Sequence, residues 1–204
     1  MTNILNDELF EVIMNLKERN ICSEELEKEV WRSFGCNVAM LIMDSSGFTR
    51  VSRSHGIVHY LSLIADLRLI LTPVFKKSEC LFLKYAADNI YVAYTSVEAA
   101  LEAAIEANAA LTDKGLMLTE DEPFAISIGI GYGKCLKSER EGFFGNEVNL
   151  ASKLGEDIAE AQEILLTEAA FNQLPTAQKL DFEKISENYS GVSINYYRVI
   201  NRSF

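Results

Sequence analysis

Leu41-Ile42-Met43-Asp44-Ser45-Ser46-Gly47-Phe48-Thr49-Arg50 is the stretch on which the reading of this chain turns. The apolar run from Val38 to Met43 predicts a buried strand, and the strand delivers one carboxylate, Asp44, at its end. A glycine turn and a long amphipathic pattern follow at once, so backbone N–H groups of a helix start lie just beyond the acid. That combination suits a hard cation carrying phosphate oxygens. The same Asp could simply cap the next helix. A second acid in a similar setting weighs against the simpler reading. In Leu81-Phe82-Leu83-Lys84-Tyr85-Ala86-Ala87-Asp88-Asn89-Ile90-Tyr91-Val92-Ala93-Tyr94, two strand-like runs flank a hairpin that carries Asp88.

Upstream, residues 1–35 read as a helical hairpin. Leu5, Leu9, Ile13 and Leu16 repeat at helical spacing, and Leu26, Val30 and Phe34 share one face of a second helix beside the exposed-looking Trp31. Residues 36–204 read as one main domain. Strand 38–44 leads to a helix over about 48–71, with Ile57, Tyr60, Leu61, Ile64, Leu67 and Leu71 on one face and Pro73 as a bend or stop. Strands 80–85 and 89–95 form the hairpin. Thr95-Ser96-Val97-Glu98 matches a capping box opening an Ala-rich helix to about Leu111, and 113–123 is a polar loop. Strand 124–132 alternates Phe124, Ile126, Ile128 and Ile130 with glycines. A helix over 147–159, strand Ile164-Leu165-Leu166, a turn capped by Thr167 and two strands within 180–200 complete the chain. The order β-α-β-β-α-β, then α-β and a β tail, predicts an α+β fold: an antiparallel sheet with helices on one face.

Composition narrows the function. A chain of 204 residues, 49% hydrophobic, is long enough for one sizeable core. Its 30 acidic residues against 19 basic give a formal charge of −11, which disfavours nucleic acid and anionic membranes as partners. A nucleotide can still bind where cations screen it. Cys22, Cys36, Cys80 and Cys135 form no CxxC pair and read as core residues of a reducing compartment. No signal-peptide pattern opens the sequence, and no apolar run approaches the roughly 18 residues of a membrane span. A soluble, cytoplasmic protein is expected.

With these motifs in view, the chain resembles the class III adenylate/guanylate cyclases over about 36–171. Asp44 to Thr49 is similar to their strand-to-helix motif, and Lys84 to Asp88 to their Lys-x-x-Gly-Asp hairpin, with Ala87 where Gly is usual. Ile128-Gly129-Ile130-Gly131-Tyr132-Gly133-Lys134 resembles the glycine-rich strand ending in a basic residue. Phe144 to Lys153 resembles the motif with the catalytic Asn, with Lys where Arg is usual.

The resemblance implies a ferredoxin-like, palm-type cyclase domain, a βαββαβ core plus an αβ extension. It implies a phosphorus–oxygen lyase that cyclises a nucleoside triphosphate, ATP first, to the 3′,5′-cyclic monophosphate and pyrophosphate. Two Mg²⁺ or Mn²⁺ ions per site are implied, held by Asp44, Asp88 and the Ser45 carbonyl. The N–H groups of Gly47, Phe48 and Thr49 would cradle the β- and γ-phosphates, and Lys134 would add a cation to them. From a second copy in a homodimer, Lys84 would meet the base, Asn149 the ribose, and Lys153 the charge developing on the phosphates.

Three departures bear on activity. Lys153 keeps the charge of the usual Arg and loses its planar fork. Gly142 stands where purine-selective members carry a side chain that reads the base, and the loop from Lys137 to Gly142 is densely charged. GTP, a pyrimidine triphosphate, or a non-catalytic module that binds nucleotide or dimerises remain the alternatives. His55 and His59, at i, i+4, could form a metal pair but have no third ligand in sequence reach. Arg50 and Arg53 could steer a triphosphate or lie as solvated surface charges.

Overall fold

The computed structural model describes residues 7–19, 21–175, 182–189 and 192–200. Helices α1 (Glu8–Glu18) and α2 (Ser23–Phe34) bury Leu9 and Val30 and lead straight into β1 (Gly35–Ser45). Leu5, expected on the same stripe, lies outside the described residues. β1 is central. It pairs antiparallel with β3 (Asn89–Tyr94) on one side and with β4 (Ile126–Ser138) on the other. β2 (Phe82–Ala86), β6 (Ile164–Thr167), β7 (Phe182–Tyr189) and β8 (Val192–Val199) complete the order β2-β3-β1-β4-β6-β8-β7, and a short β5 (Gly142–Phe144) turns back on β4. The sheet is mixed, because β4 and β6 run parallel where an antiparallel sheet was expected. A helical crossover between those two strands makes that direction possible.

Strand alternation divides the side chains between two faces. Ala39, Leu41 and Met43 of β1 join Ile126, Ile128 and Ile130 of β4 in the main core, under α4 (Ile57–Lys77) and α5 (Val97–Lys114). Val38 and Met40 point the other way and meet Val148. Val148 belongs to α6 (Asn146–Ser152), which runs on as a π turn over Lys153–Ile158. Helices therefore cover both faces, not one. The alternating glycines make this possible: a Cβ on Gly129 would stand 2.1 Å from the Ala151 carbonyl oxygen, and one on Gly131 2.4 Å from that of Glu147. Only a strand stripped of side chains on that face lets α6 lie this close.

Three local expectations need correction. The helix expected over 48–71 is two, α3 (Phe48–His55) and α4, broken at Gly56 with φ 88° and ψ 155°. Pro73 lies inside α4 and does not stop it, because Leu71, Val74 and Phe75 around it are buried in the core and packing outweighs one lost hydrogen bond. The cap of α5 is Ser96, whose hydroxyl accepts the Ala99 N–H at 3.2 Å, and not Thr95. Thr167 does cap the short α7 (Glu168–Phe171), accepting the Ala170 N–H. Against the expectation that no apolar run approaches a membrane span, α4 is long and apolar enough to cross one; 33% of that stretch is buried in this core, through Tyr60, Leu63, Ile64, Leu67, Leu71, Val74 and Phe75. All four cysteines are free.

Candidate active site

Topology brings the two acids together. In the β1–β3 pair Met43 sits opposite Ile90, so Asp44, the next residue, lies beside the turn that holds Asp88. Burial first, and then the Asp88 charge, push the Asp44 carboxyl up to about 6. A hydrogen bond from the Ser45 N–H, 2.8 Å, works in the opposite direction, while Glu156 and Asp157 from the π turn add further negative potential. Among the described residues neither Asp44 nor Asp88 forms an ion pair. Two adjacent carboxylates without a cation carry an electrostatic cost that a bound cation would remove, and an all-oxygen donor set fits Mg²⁺ or Mn²⁺. No group of three metal-binding side chains occurs among the described residues, so main-chain and phosphate oxygens would have to complete the coordination.

The carboxylates rest on a support that the sequence did not reveal. Ser45, 4% exposed, shares a 2.5 Å hydrogen bond with the hydroxyl of Tyr60 on α4. Burial, with the charges of Asp88 and Asp44, pushes Tyr60 up to about 12, so it stays a neutral donor or acceptor at the end of β1. Phe48 packs edge-on against the Tyr60 ring, 4.9 Å between centroids. Read from periodicity, Tyr60 was only one more residue on an apolar helix face. A hydroxyl on such a face was the available signal.

Beyond Asp44 the chain turns at Gly47 (φ 88°), where a Cβ would meet Leu118 at 2.7 Å, and enters α3. No side chain caps this helix, so its first N–H groups, those of Phe48 and Thr49 among them, are presented just past the acid. Arg50 is held by Glu122 at 2.5 Å. On the hairpin, Ala87 adopts φ 53°, the conformation glycine accommodates without strain, and its carbonyl accepts a 2.7 Å hydrogen bond from Arg68.

A second set of residues gathers on the α6 face. Lys84 reaches across to donate to the Glu141 carbonyl at 2.9 Å. Around it lies a cavity of about 250 Å³ lined by Met40, Lys84, Tyr91, Gly142, Phe143 and Val148. Gly142 has φ 106°, and a Cβ there would stand 3.3 Å from the Phe82 ring, so a base-reading side chain at this point would be strained. Asn149 is exposed on α6, its N–H bonded to the Gly145 carbonyl. Lys153, at the start of the π turn, lies 3.9 Å from Asp157. The next turn is anchored by Ser127, which donates to the Gly155 carbonyl at 2.7 Å, and by Glu156, which accepts from Ser152 and Tyr91.

Lys134 is not brought to Asp44 in this chain. Asp44 pairs with Ser127, whereas Lys134 pairs with Asn37, seven residues further along β4 and roughly 23 Å away at strand spacing. Its ammonium sits 4.3 Å from the centre of the Trp31 ring, so that aromatic is covered by a cation and not simply exposed. The rings of His55 and His59 lie 5.3 Å apart beside the loop of Glu120 and Asp121.

The family model described as adenylate and guanylate cyclase catalytic domain matches residues 33–193. The chain belongs to this family. Its fold is shared by solved cyclase domains of low identity. The non-canonical dimeric guanylyl cyclase domain of a rhodopsin fusion protein from Blastocladiella emersonii is 16% identical with a TM-score of 0.69, over 83% of this chain and 99% of that one. An adenylate cyclase from Trypanosoma brucei, solved in a monomeric state, is 18% identical with a TM-score of 0.67, over 82% and 91%. An adenylate/guanylate cyclase/hydrolase from Silicibacter pomeroyi is 19% identical with a TM-score of 0.69, over 82% and 98%. No curated protein matches the chain. These likenesses carry the fold, and the cyclase domain's choice of base rests on its own residues.

Proposed function

We propose that this cyclase domain converts a nucleoside triphosphate, ATP first, to the 3′,5′-cyclic monophosphate and pyrophosphate, at a site shared by two copies of the chain. The observation that carries the reading is the convergence of Asp44 and Asp88 at adjacent strand ends beside an uncapped helix start. Divalent cations held there would lower the pKa of the 3′-hydroxyl and neutralise the leaving pyrophosphate. Asp44, Asp88 and the Ser45 carbonyl are the residues that would hold them. The N–H groups of Gly47, Phe48 and Thr49 orient the β- and γ-phosphates, so that the α-phosphorus faces the 3′-oxygen.

Lys84, Asn149 and Lys153 lie on the α6 face and would serve the site of the other copy. Lys84 supports adenine, since it offers ammonium protons to ring-nitrogen acceptors, while its bond to Glu141 fixes its direction. Asn149 is free of the core and exposed, as a ribose contact must be. Lys153 would supply charge to the phosphates without the fork of an Arg. Lys134 has no part in the Asp44 half of this scheme. The domain acts as a homodimer in the cytoplasm, without membrane or nucleic acid.

A second reading, a nucleotide-binding or dimerisation module without turnover, is favoured by one observation: Lys153 lies within 3.9 Å of its own Asp157. Purified protein incubated with each of the four triphosphates and Mn²⁺ decides between them. A cyclic product from ATP above the others supports the proposal. A cyclic product only from GTP or a pyrimidine triphosphate removes the adenine assignment. No cyclic product from any of them removes the enzyme.

A further inference from the structure

Among the described residues Asp7 is the carboxylate that is buried, 7% exposed, and it is 131 residues away in sequence from the group it holds. It caps α1 by accepting the Leu9 N–H at 3.1 Å on one oxygen. Its other oxygen accepts the hydroxyl of Ser138 at 2.5 Å and the main-chain N–H of Arg140 at 3.2 Å. Ser138, 1% exposed, ends β4 and begins the turn that leads to Gly142. Its oxygen also accepts the Glu141 N–H at 2.8 Å, and the Glu141 carbonyl accepts Lys84 at 2.9 Å. Every donor in this series points the same way, from Lys84 through Glu141 and Ser138 to the Asp7 carboxylate. Hydrogen bonds aligned in this sense polarise and strengthen one another.

The turn needs such a tether. It is densely charged, it contains a left-handed Gly142, and Asp7 is a buried side chain that reaches it from outside its own hairpin. Phe10 on α1 adds an edge contact with Phe144 at 5.8 Å on the far side of the same hairpin. A carboxylate at the start of α1 therefore sets the position of the wall of the Lys84 cavity. Burial alone would raise the Asp7 pKa. The bonds from Ser138, Arg140, Leu9 and Phe10 bring it below the usual value, so the acceptor stays charged.

We propose that Asp7 is a positioning residue for base recognition: through Ser138 it holds the Glu141 carbonyl against Lys84 and so fixes where the Lys84 ammonium points. The inference rests on the cyclase reading above, and it makes α1 part of the substrate-selecting apparatus. Its test uses the full chain with Asp7→Ala and Ser138→Ala, the second leaving the α1 cap intact. Asp7→Ala loses protection from hydrogen exchange at Arg140, and Ser138→Ala loses it at Glu141. Both raise KM for the preferred triphosphate about fivefold, as for one hydrogen bond, keep kcat within about twofold, and shift the ratio of kcat/KM between ATP and GTP. Faster exchange with an unchanged KM and base ratio overturns the proposal and leaves the cyclase reading standing, as does unchanged exchange in Ser138→Ala. A wild type that cyclises none of the four triphosphates overturns the cyclase reading and the proposal with it, whatever the exchange data show.

Discussion

Asp44 ends the central strand beside the turn that carries Asp88, and the second charge helps to hold the first carboxyl up to about 6. With a folded pKa above the unfolded value of 3.8, the folded state binds the extra proton between those two values. In chelator, the Asp44 contribution to stability is therefore present in acid and lost as pH rises towards 6. Thermal melts of wild type against Asp44→Asn from about pH 4 to about pH 7 isolate it. The variant gains about 2–4 °C relative to wild type across that range, the shift for about 1 kcal/mol in a chain of this size once solvent screening is allowed for. Parallel curves would show that the Asp44 carboxyl is not held above its unfolded value.

Cation binding inverts that relationship. Mn²⁺ with a triphosphate stabilises wild type by about 2–3 kcal/mol at a hundredfold excess over Kd, and so raises its melting temperature, and does nothing for Asp44→Ala. The same variant, without cation, melts no lower than wild type because it has lost a repulsion. Differential scanning fluorimetry reads both effects. A wild type that does not respond to Mn²⁺ and triphosphate would remove the metal site.

Ala87 stands at φ 53° in the turn that presents Asp88. An alanine in the left-handed region costs about 1–2 kcal/mol, partly offset by the greater unfolded freedom of glycine. Ala87→Gly is expected to stabilise the domain by up to about 1 kcal/mol and to leave the Asp88 position unchanged. A lower urea midpoint for this variant would contradict it.

How much of this was readable in advance differs by element. The strand to Asp44 and the turn at Gly47 were legible because apolar run, acid and glycine are adjacent in sequence. The break at Gly56 was not, since the apolar spacing runs through it without interruption, and Pro73 was given more weight than its buried neighbours allow. The glycines of β4 were visible as a pattern. Their purpose, to admit α6 on the second face, depends on a helix that follows them in the chain. Tyr60 and Asp7 were invisible for one reason: their partners, Ser45 and Ser138, are 15 and 131 residues away. The place of Lys134, at the other end of β4 from the Asp44 of its own chain, follows from register, which a motif's spacing does not carry.

The central claim is that each site takes Asp44 from one copy of the chain and Asn149 from another. Asp44→Ala and Asn149→Ala, each expressed alone, are expected to be inactive or nearly so. Co-expressed in equal amounts, half of the dimers are mixed and each mixed dimer has one intact site of two, so cyclase activity returns to about a quarter of wild type. Recovery near that level, measured as cyclic nucleotide formed per mole of soluble protein, is the predicted result. Co-expressed, soluble and dimeric variants that remain inactive would place the whole site within one chain and contradict the account.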